Sequence, residues 1–189
     1  MQPHDRSVRV RSVDAVMERG SAGVAGDDLD VFARGNGTAL LRLAVLLTRN
    51  RADAEDLVQD CLVRVAPRLA KMPEAAQVAY ARRTIVNLFI DQQRRQARLR
   101  NISHLLRSED VTAGFADDRS DRSLARSLVE GLPPRQRAAV ILRYWSGLRD
   151  EEIAATLGCS TGTIKSQISR AMMSMRVELD RQHATGDLS

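Results

Sequence analysis

The chain has few aromatic residues, few cysteines and almost no lysine. One Trp, two Tyr and three Phe make up 3% of 189 residues, so a core must be built from Leu, Val, Ile, Ala and Met. Cys61 and Cys159 stand alone, with no CxxC and no His nearby at ligand spacing. That pattern argues against a zinc site and reads as two small buried apolar residues in a reducing, cytoplasmic setting. His4, His104 and His183 are scattered and form no constellation. No apolar run is long enough to span a bilayer. The N-terminus mixes Arg and Asp with no continuous apolar stretch, so no secretory signal and no membrane insertion are expected. With no Gly-rich phosphate loop and no nucleophile–base pair, neither an enzyme nor a cofactor is expected. No period-two run of β-branched residues marks a strand, and the expected fold class is all-α.

Arginine is abundant. Lys71 and Lys165 are the only lysines among 29 basic residues, set against 24 acidic ones for a net charge of +5. Codon bias of a GC-rich genome accounts for most of that excess, yet Arg also suits bidentate contacts to phosphate and guanine. The charge is uneven along the chain: net −2 over residues 1–30, +7 over 31–100, −2 over 101–122 and +2 over 123–189. The strongest positive field therefore lies in the first half and implies a nucleic-acid surface there.

The pattern divides the chain into two small helical domains. Residues 1–27, ending in GSAGVAGD, read as a disordered tail, with Val10 to Met17 at most a marginal helix. Residues 28–100 form a helical domain. Leu40, Leu43, Ala44 and Leu47 mark one helix; Ala54, Leu57, Val58, Cys61, Leu62 and Val65 mark a second, with Asp53 as its expected cap and Pro67 loosening its last turn. A loop from Lys71 to Gln77 precedes a third helix marked by Val78, Ala81, Ile85, Leu88 and Phe89. Residues 101–122 are polar and acidic and read as a flexible linker, roughly 75 Å long if fully extended and nearer 26 Å on average. Residues 123–180 form a four-helix module: Ser123 to Glu130, then Arg135 to Trp145 with Pro133 and Pro134 at its start, then two more. Val140, Ile141, Tyr144 and Trp145 are expected to supply its apolar bulk, and residues 181–189 are a short tail.

Those last two helices, Arg149 to Met175, read as a helix-turn-helix. Asp150, Glu151 and Glu152 suit a positive helix N-terminus. Ile153, Ala154 and Leu157 give one apolar side, and Gly158 can end the helix in the left-handed region. Ser160 or Thr161 can cap the next helix. Ile164, Ile168, Ala171 and Met175 recur at steps of four, three and four as a buried stripe. The other side carries Thr163, Lys165, Ser166, Ser169 and Arg170, short donors and long cations suited to base edges and phosphates.

Two faces stand out in the first domain. Arg83, Asn87, Asp91, Arg94 and Arg98 follow one another at steps of four, four, three and four and so share a side of the third helix, opposite Ile85 and Phe89. Arg94, Arg95, Arg98 and Arg100 cluster with little acidic neutralisation, and the amide of Asn87 is suited to base hydrogen bonding; a phosphate-tracking surface accounts for them better than a solvated face does. On the second helix Glu55, Asp56, Gln59, Asp60 and Arg64 lie opposite Leu57, Cys61 and Val65. Such a face repels DNA, and is either simply solvated or a docking surface for a basic protein.

At this point the arrangement resembles the sigma factors of bacterial RNA polymerase. DAEDLVQDCLVRV (Asp53 to Val65) is similar to region 2.2, which binds core polymerase. ARRTIVNLFIDQQRR (Ala81 to Arg95) is similar to regions 2.3 and 2.4, which read and open the −10 element. Leu132 to Arg176 is similar to region 4, which reads the −35 element. Both halves in that order, joined only by a linker, are the plan of the extracytoplasmic-function (ECF) group of the sigma-70 superfamily. The resemblance implies a non-catalytic subunit that binds core polymerase, recognises promoter DNA, helps melt it, and is held by an anti-sigma factor; the free chain is expected to be a monomer. It implies that Asp56, Gln59 and Asp60, on the face shared by Arg64, meet the coiled coil of the largest polymerase subunit. Arg82, Arg83, Asn87 and Arg94, with Arg95 and Arg98 beside them, contact the −10 strand, Asn87 near a flipped-out base. Lys165, Ser166, Ser169 and Arg170 face the −35 groove, and Thr161 and Thr163 meet phosphate at the helix N-terminus. Val78 departs from the family, many of whose members are aromatic there. A stand-alone helix-turn-helix regulator is the alternative; it explains the second module and neither face of the first.

Overall fold

A computed structural model describes residues 24–103 and 128–186, and among them there is helix and turn but no strand. In chain order the helices are α1 (Val24–Thr48), α2 (Arg51–Leu69), α3 (Glu74–Ser103), α4 (Pro134–Tyr144), α5 (Asp150–Leu157) and α6 (Thr161–Gly186); residues 128–130 are also helical. The chain divides into two compact units, Met1–Ile85 and Val86–Ser189, the division falling inside α3. The marginal helix at Val10 to Met17, most of the linker and the start of the Ser123 to Glu130 helix lie outside the described residues.

In the first unit α1 packs along α2. Phe32, Leu40, Ala44 and Leu47 are buried on one, and Leu57, Cys61, Val65 and Leu69 on the other. Steps of eight, four and three in the first set and of four throughout the second place each stripe on a single face, where burial stabilises by about 1.5–3 kcal/mol per large side chain. The chain reverses between the two through Arg49, which takes the left-handed backbone at φ 63 and donates its N–H to Val45 O at 2.8 Å. The cap of α2 is Asn50 and not Asp53. Asn50 is extended, and its Oδ1 accepts from Ala52 N at 2.8 Å and Asp53 N at 3.2 Å. Asp53 lies one turn in, where its carboxylate still faces the positive helix end.

Helix α1 begins at Val24, inside the stretch expected to be tail. Gly35 lies in its interior, exposed, with nothing within 4 Å of where a Cβ would sit. No packing demand therefore offsets its entropic cost, and Gly35→Ala is expected to raise stability by roughly 0.5–1 kcal/mol, measurable by urea denaturation.

The expected loop from Lys71 to Gln77 is shorter than anticipated, because α3 already begins at Glu74. Gln77 braces the tight turn: its Nε2 donates to Met72 O at 3.3 Å and to Leu69 O at 3.1 Å, the latter also accepting from Met72 N at 3.1 Å. Pro67 lies within α2, which continues only to Leu69. Along α3, Ala81, Ile85 and Phe89 are buried as expected, and the helix runs on to Ser103, three residues into the predicted linker.

In the second unit Pro133 caps α4 and Pro134 is its first residue. Ala138, Ile141, Leu142, Ile153, Leu157 and Ile164 form the core shared by α4, α5 and α6. Arg137 is buried at 8% exposure. Its Nη2 donates to Glu130 O at 2.7 Å and Leu132 O at 3.4 Å, so the guanidinium terminates the short helix before α4. An ion pair between Arg143 and Asp150 ties α4 to the start of α5. Two expectations fail here. Tyr144 and Trp145 are 58% and 51% exposed and add no core bulk. Trp145 is in phase with Ala138 and Ile141 and its N–H still bonds to Ile141 O, yet it is the C-cap residue at which α4 ends, and its side chain stays exposed. On α6 Ile164 and Ala171 are buried, while Ile168 and Met175 are half-buried. The helix also continues to Gly186, through most of the predicted tail.

Candidate nucleic-acid and polymerase interfaces

Helices α5 and α6 form the expected helix-turn-helix. Three carboxylates occupy the first turn of α5, and Glu152 accepts from the Arg149 N–H at 2.8 Å, the half of a capping box that an arginine cap allows. Gly158 closes α5 at φ 63, ψ 45, its N–H on Ala154 O. Of the two candidate caps for α6, Ser160 is the one used: its Oγ accepts from Thr163 N at 3.1 Å. That turn holds Thr163, Lys165, Ser166, Ser169 and Arg170 all exposed, with Thr161 half-buried. Buried Ile164 lies beneath them. Ser166 Oγ donates back to Thr163 O at 2.9 Å, leaving its lone pairs outward as acceptors. The result is a rigid helix end with backbone N–H groups, hydroxyls and two cations facing solvent, a set able to accept from bases and to donate to phosphate.

Along α3, Arg83, Asn87, Asp91, Arg94, Arg95 and Arg98 are all exposed and Arg82 is half-buried. Arg94 lies 3.8 Å from Asp91, an exposed pair that is worth little and leaves the face strongly positive. Asn87 has cations on both sides along one stripe. Tyr80 begins the same stripe one turn before Arg83, a residue that sequence reading missed; its three-residue step to Arg83 was the available signal.

On α2, Asp56, Gln59, Asp60 and Arg64 are exposed opposite buried Leu57, Cys61 and Val65. Glu55 is engaged by Arg51 at 2.9 Å. Among the described residues neither Asp56 nor Asp60 is in an ion pair. Val63, 68% exposed, continues this face as an apolar element; its spacing of three from Asp60 marks it.

Cys61 is fully buried and its Sγ donates to Ala81 O at 3.4 Å. Burial pushes its thiol from 9.0 up to about 12. The folded state therefore holds that proton after the unfolded chain has lost it, and the stability this contributes is complete below about pH 9 and lost as pH rises toward 12. Cys159 is half-buried, less than expected. At pH 8 a thiol reagent is expected to label Cys159 in the native protein and Cys61 only after denaturant is added. Among the described residues no cluster of His, Cys, Asp or Glu could hold a metal ion, and no helix is long and apolar enough to cross a membrane.

The two halves each match a known family: residues 32–99 match Sigma-70 region 2 and residues 122–175 match Sigma-70, region 4. The first match keeps α3 almost whole and carries the acidic face of α2 and the basic face of α3 together. The chain is 34% identical over 158 residues to the RNA polymerase sigma-E factor of Streptomyces avermitilis, covering 81% of this chain and 86% of that one. It is 32% identical to the ECF RNA polymerase sigma factor SigE of Mycolicibacterium smegmatis, over 93% of this chain and 69% of the relative. Among solved structures it is similar to the sigma factor RpoE of Bartonella quintana, crystallised with the anti-sigma factor NepR, at 30% identity and a TM-score of 0.66, covering 81% of this chain and 97% of that one. A two-unit helical protein with a helix-turn-helix and a basic helical face is thus a transcription factor of the polymerase itself. The chain belongs to the ECF group of the sigma-70 family and acts in transcription initiation.

Proposed function

We propose that the chain carries core RNA polymerase to promoters through three surfaces. Asp56, Gln59, Asp60 and Arg64 on α2 dock on core polymerase. Arg82, Arg83, Asn87, Arg94, Arg95 and Arg98 on α3 hold the −10 strand, with Asn87 on an extruded base. Thr161, Thr163, Lys165, Ser166, Ser169 and Arg170 on α6 read the −35 element. The functional modules are residues 28–100 and 123–180, with 101–122 spanning the two promoter elements. The observation that carries this reading is the exposure of an acidic face and an Asn-bearing basic face on adjacent helices of the one module, each backed by a buried stripe. Acidic and basic surfaces of this kind serve different partners, protein for one and DNA for the other.

The protein works in the cytoplasm without catalysis of its own, is a monomer when free, and is restrained by an anti-sigma factor; the crystallised relative is in complex with the anti-sigma factor NepR. The test uses reconstituted holoenzyme and a promoter library. Arg170→Ala is expected to cost about 1–3 kcal/mol and to relax preference at one −35 base pair, and Asn87→Ala to relax it only in the −10 element. Uniform weakening across all sequences would make Arg170 a phosphate contact.

A further inference from the structure

More than half of the positive charge of residues 31–100 lies away from the basic face of α3. Residues 31–52 hold Arg34, Arg42, Arg49 and Arg51 and no acidic residue, four of the net seven positive charges of that half. Long acid-free stretches recur on the helices proposed to meet DNA: 153–177 on α6, and 75–90 and 92–108 on α3, parted only by Asp91. One other, 131–149, uses most of its arginines within the fold. Arg137 is buried, Arg143 pairs with Asp150, and Arg149 immediately precedes the three carboxylates that open α5. In 31–52, Arg51 pairs with Glu55 and Arg49 is half-buried at the turn after α1. Arg34 and Arg42 are exposed and in no ion pair among the described residues.

Arg34, Thr38 and Arg42 follow one another on α1 at steps of four, all exposed, and so share a side of the helix. Phe32, Leu40, Ala44 and Leu47 are buried on the opposite side. The two arginines stand about 12 Å apart along the axis at 1.5 Å per residue, with the Thr38 hydroxyl midway. Gly35 and Ala39, also exposed, keep the surface between them low, and nothing lies within 4 Å of where a Gly35 Cβ would sit. A glycine there costs helix stability and leaves room for a second backbone to come close. Apart from Val31 at one end, the face has no large exposed apolar side chain, so it lacks the apolar centre of a protein interface. Cations and a hydroxyl spaced along a shallow face suit phosphates, which position a duplex or strand without reading it. We infer that this face of α1 holds the phosphate backbone of promoter DNA in the holoenzyme, through Arg34 and Arg42 with Thr38 between them. The contact is independent of sequence and separate from the faces of α3 and α6.

The test titrates holoenzyme carrying Arg34→Ala and Arg42→Ala together, across a salt series, with a promoter duplex and with a single-stranded −10 oligonucleotide. Each phosphate contact contributes about 0.9 to the slope of log affinity on log salt for duplex and about 0.7 for a single strand. The double variant is expected to flatten the slope by about 1.8 on the duplex or about 1.4 on the oligonucleotide, and the arm that responds shows which form of DNA lies on α1. Each single variant should give half of that change. The loss should be equal across −10 and −35 sequence variants. Lysine at both positions should restore the slope, because a point charge suffices for phosphate. Core-polymerase affinity and thermal midpoint should not move. Unchanged slopes in both arms would overturn the inference. A loss confined to core affinity would make this a protein-docking face, and an altered sequence preference would make it a base-reading one; either result contradicts it. Asn87→Ala is read from sequence preference and this pair from salt slope, so failure of one assignment is distinct from failure of the other.

Discussion

Asp60→Arg is expected to weaken binding to core polymerase by about 2–5 kcal/mol, the cost of stranding a charge in a polar interface, which is roughly thirty- to several-thousandfold in affinity. Asp60 is exposed and in no ion pair among the described residues, so reversal breaks nothing in the free chain. Its helix is held from the other side by Leu57, Cys61 and Val65, each at 4% exposure or less. The thermal midpoint should therefore be unchanged while holoenzyme formation, followed by fluorescence anisotropy of labelled chain, is lost. A variant that unfolds, or one that assembles normally, would remove Asp60 from the docking surface.

Ile164→Ala is expected to destabilise the second unit by about 2–5 kcal/mol, the cost of lost burial together with the cavity left behind. Ile164 is 0% exposed and sits in the turn of α6 whose outer side carries Thr163, Lys165 and Ser166. Emptying the site beneath them should reduce −35 binding although no group facing solvent has changed. Trp145, the single tryptophan of the chain, lies at the end of α4 in the same unit and reports its unfolding by fluorescence. If denaturation of this unit is unaffected, the packing of α6 on α4 and α5 is not what holds the reading surface.

The faces were legible because a helix repeats every 3.6 residues. Once Leu57, Cys61 and Val65 are taken as inward, Asp56 and Asp60 must point out, and the same holds for Asn87 against Ile85 and Phe89. The resemblance of Asp53 to Val65, Ala81 to Arg95 and Leu132 to Arg176 to sigma-factor regions, in that order, led to the family before any contact was known. Helix ends were harder, because several groups compete to satisfy the same terminal N–H and carbonyl groups. Asp53 and Asn50 are both good caps, and the extended backbone at residue 50 decides for Asn50. The turn after Leu69 closes early because Gln77 reaches back across it, a contact between helices that no local pattern encodes. Tyr144 and Trp145 look like core by type, yet α4 stops before a neighbour covers them. The hydrogen bond from Arg68 to the Tyr80 hydroxyl was invisible too, because it depends on how the end of α2 meets the start of α3, not on spacing within either.

The central claim is that the acidic face, the Asn-bearing basic face and the helix-turn-helix act as one promoter-directing subunit. Transcription from a promoter-bearing template by core polymerase with and without the purified chain tests it most directly. The expected result is a discrete promoter-specific transcript that appears only when the chain is added and is lost with Asp60→Arg. Tight binding of the chain alone to duplex DNA, with polymerase output unchanged, would contradict it.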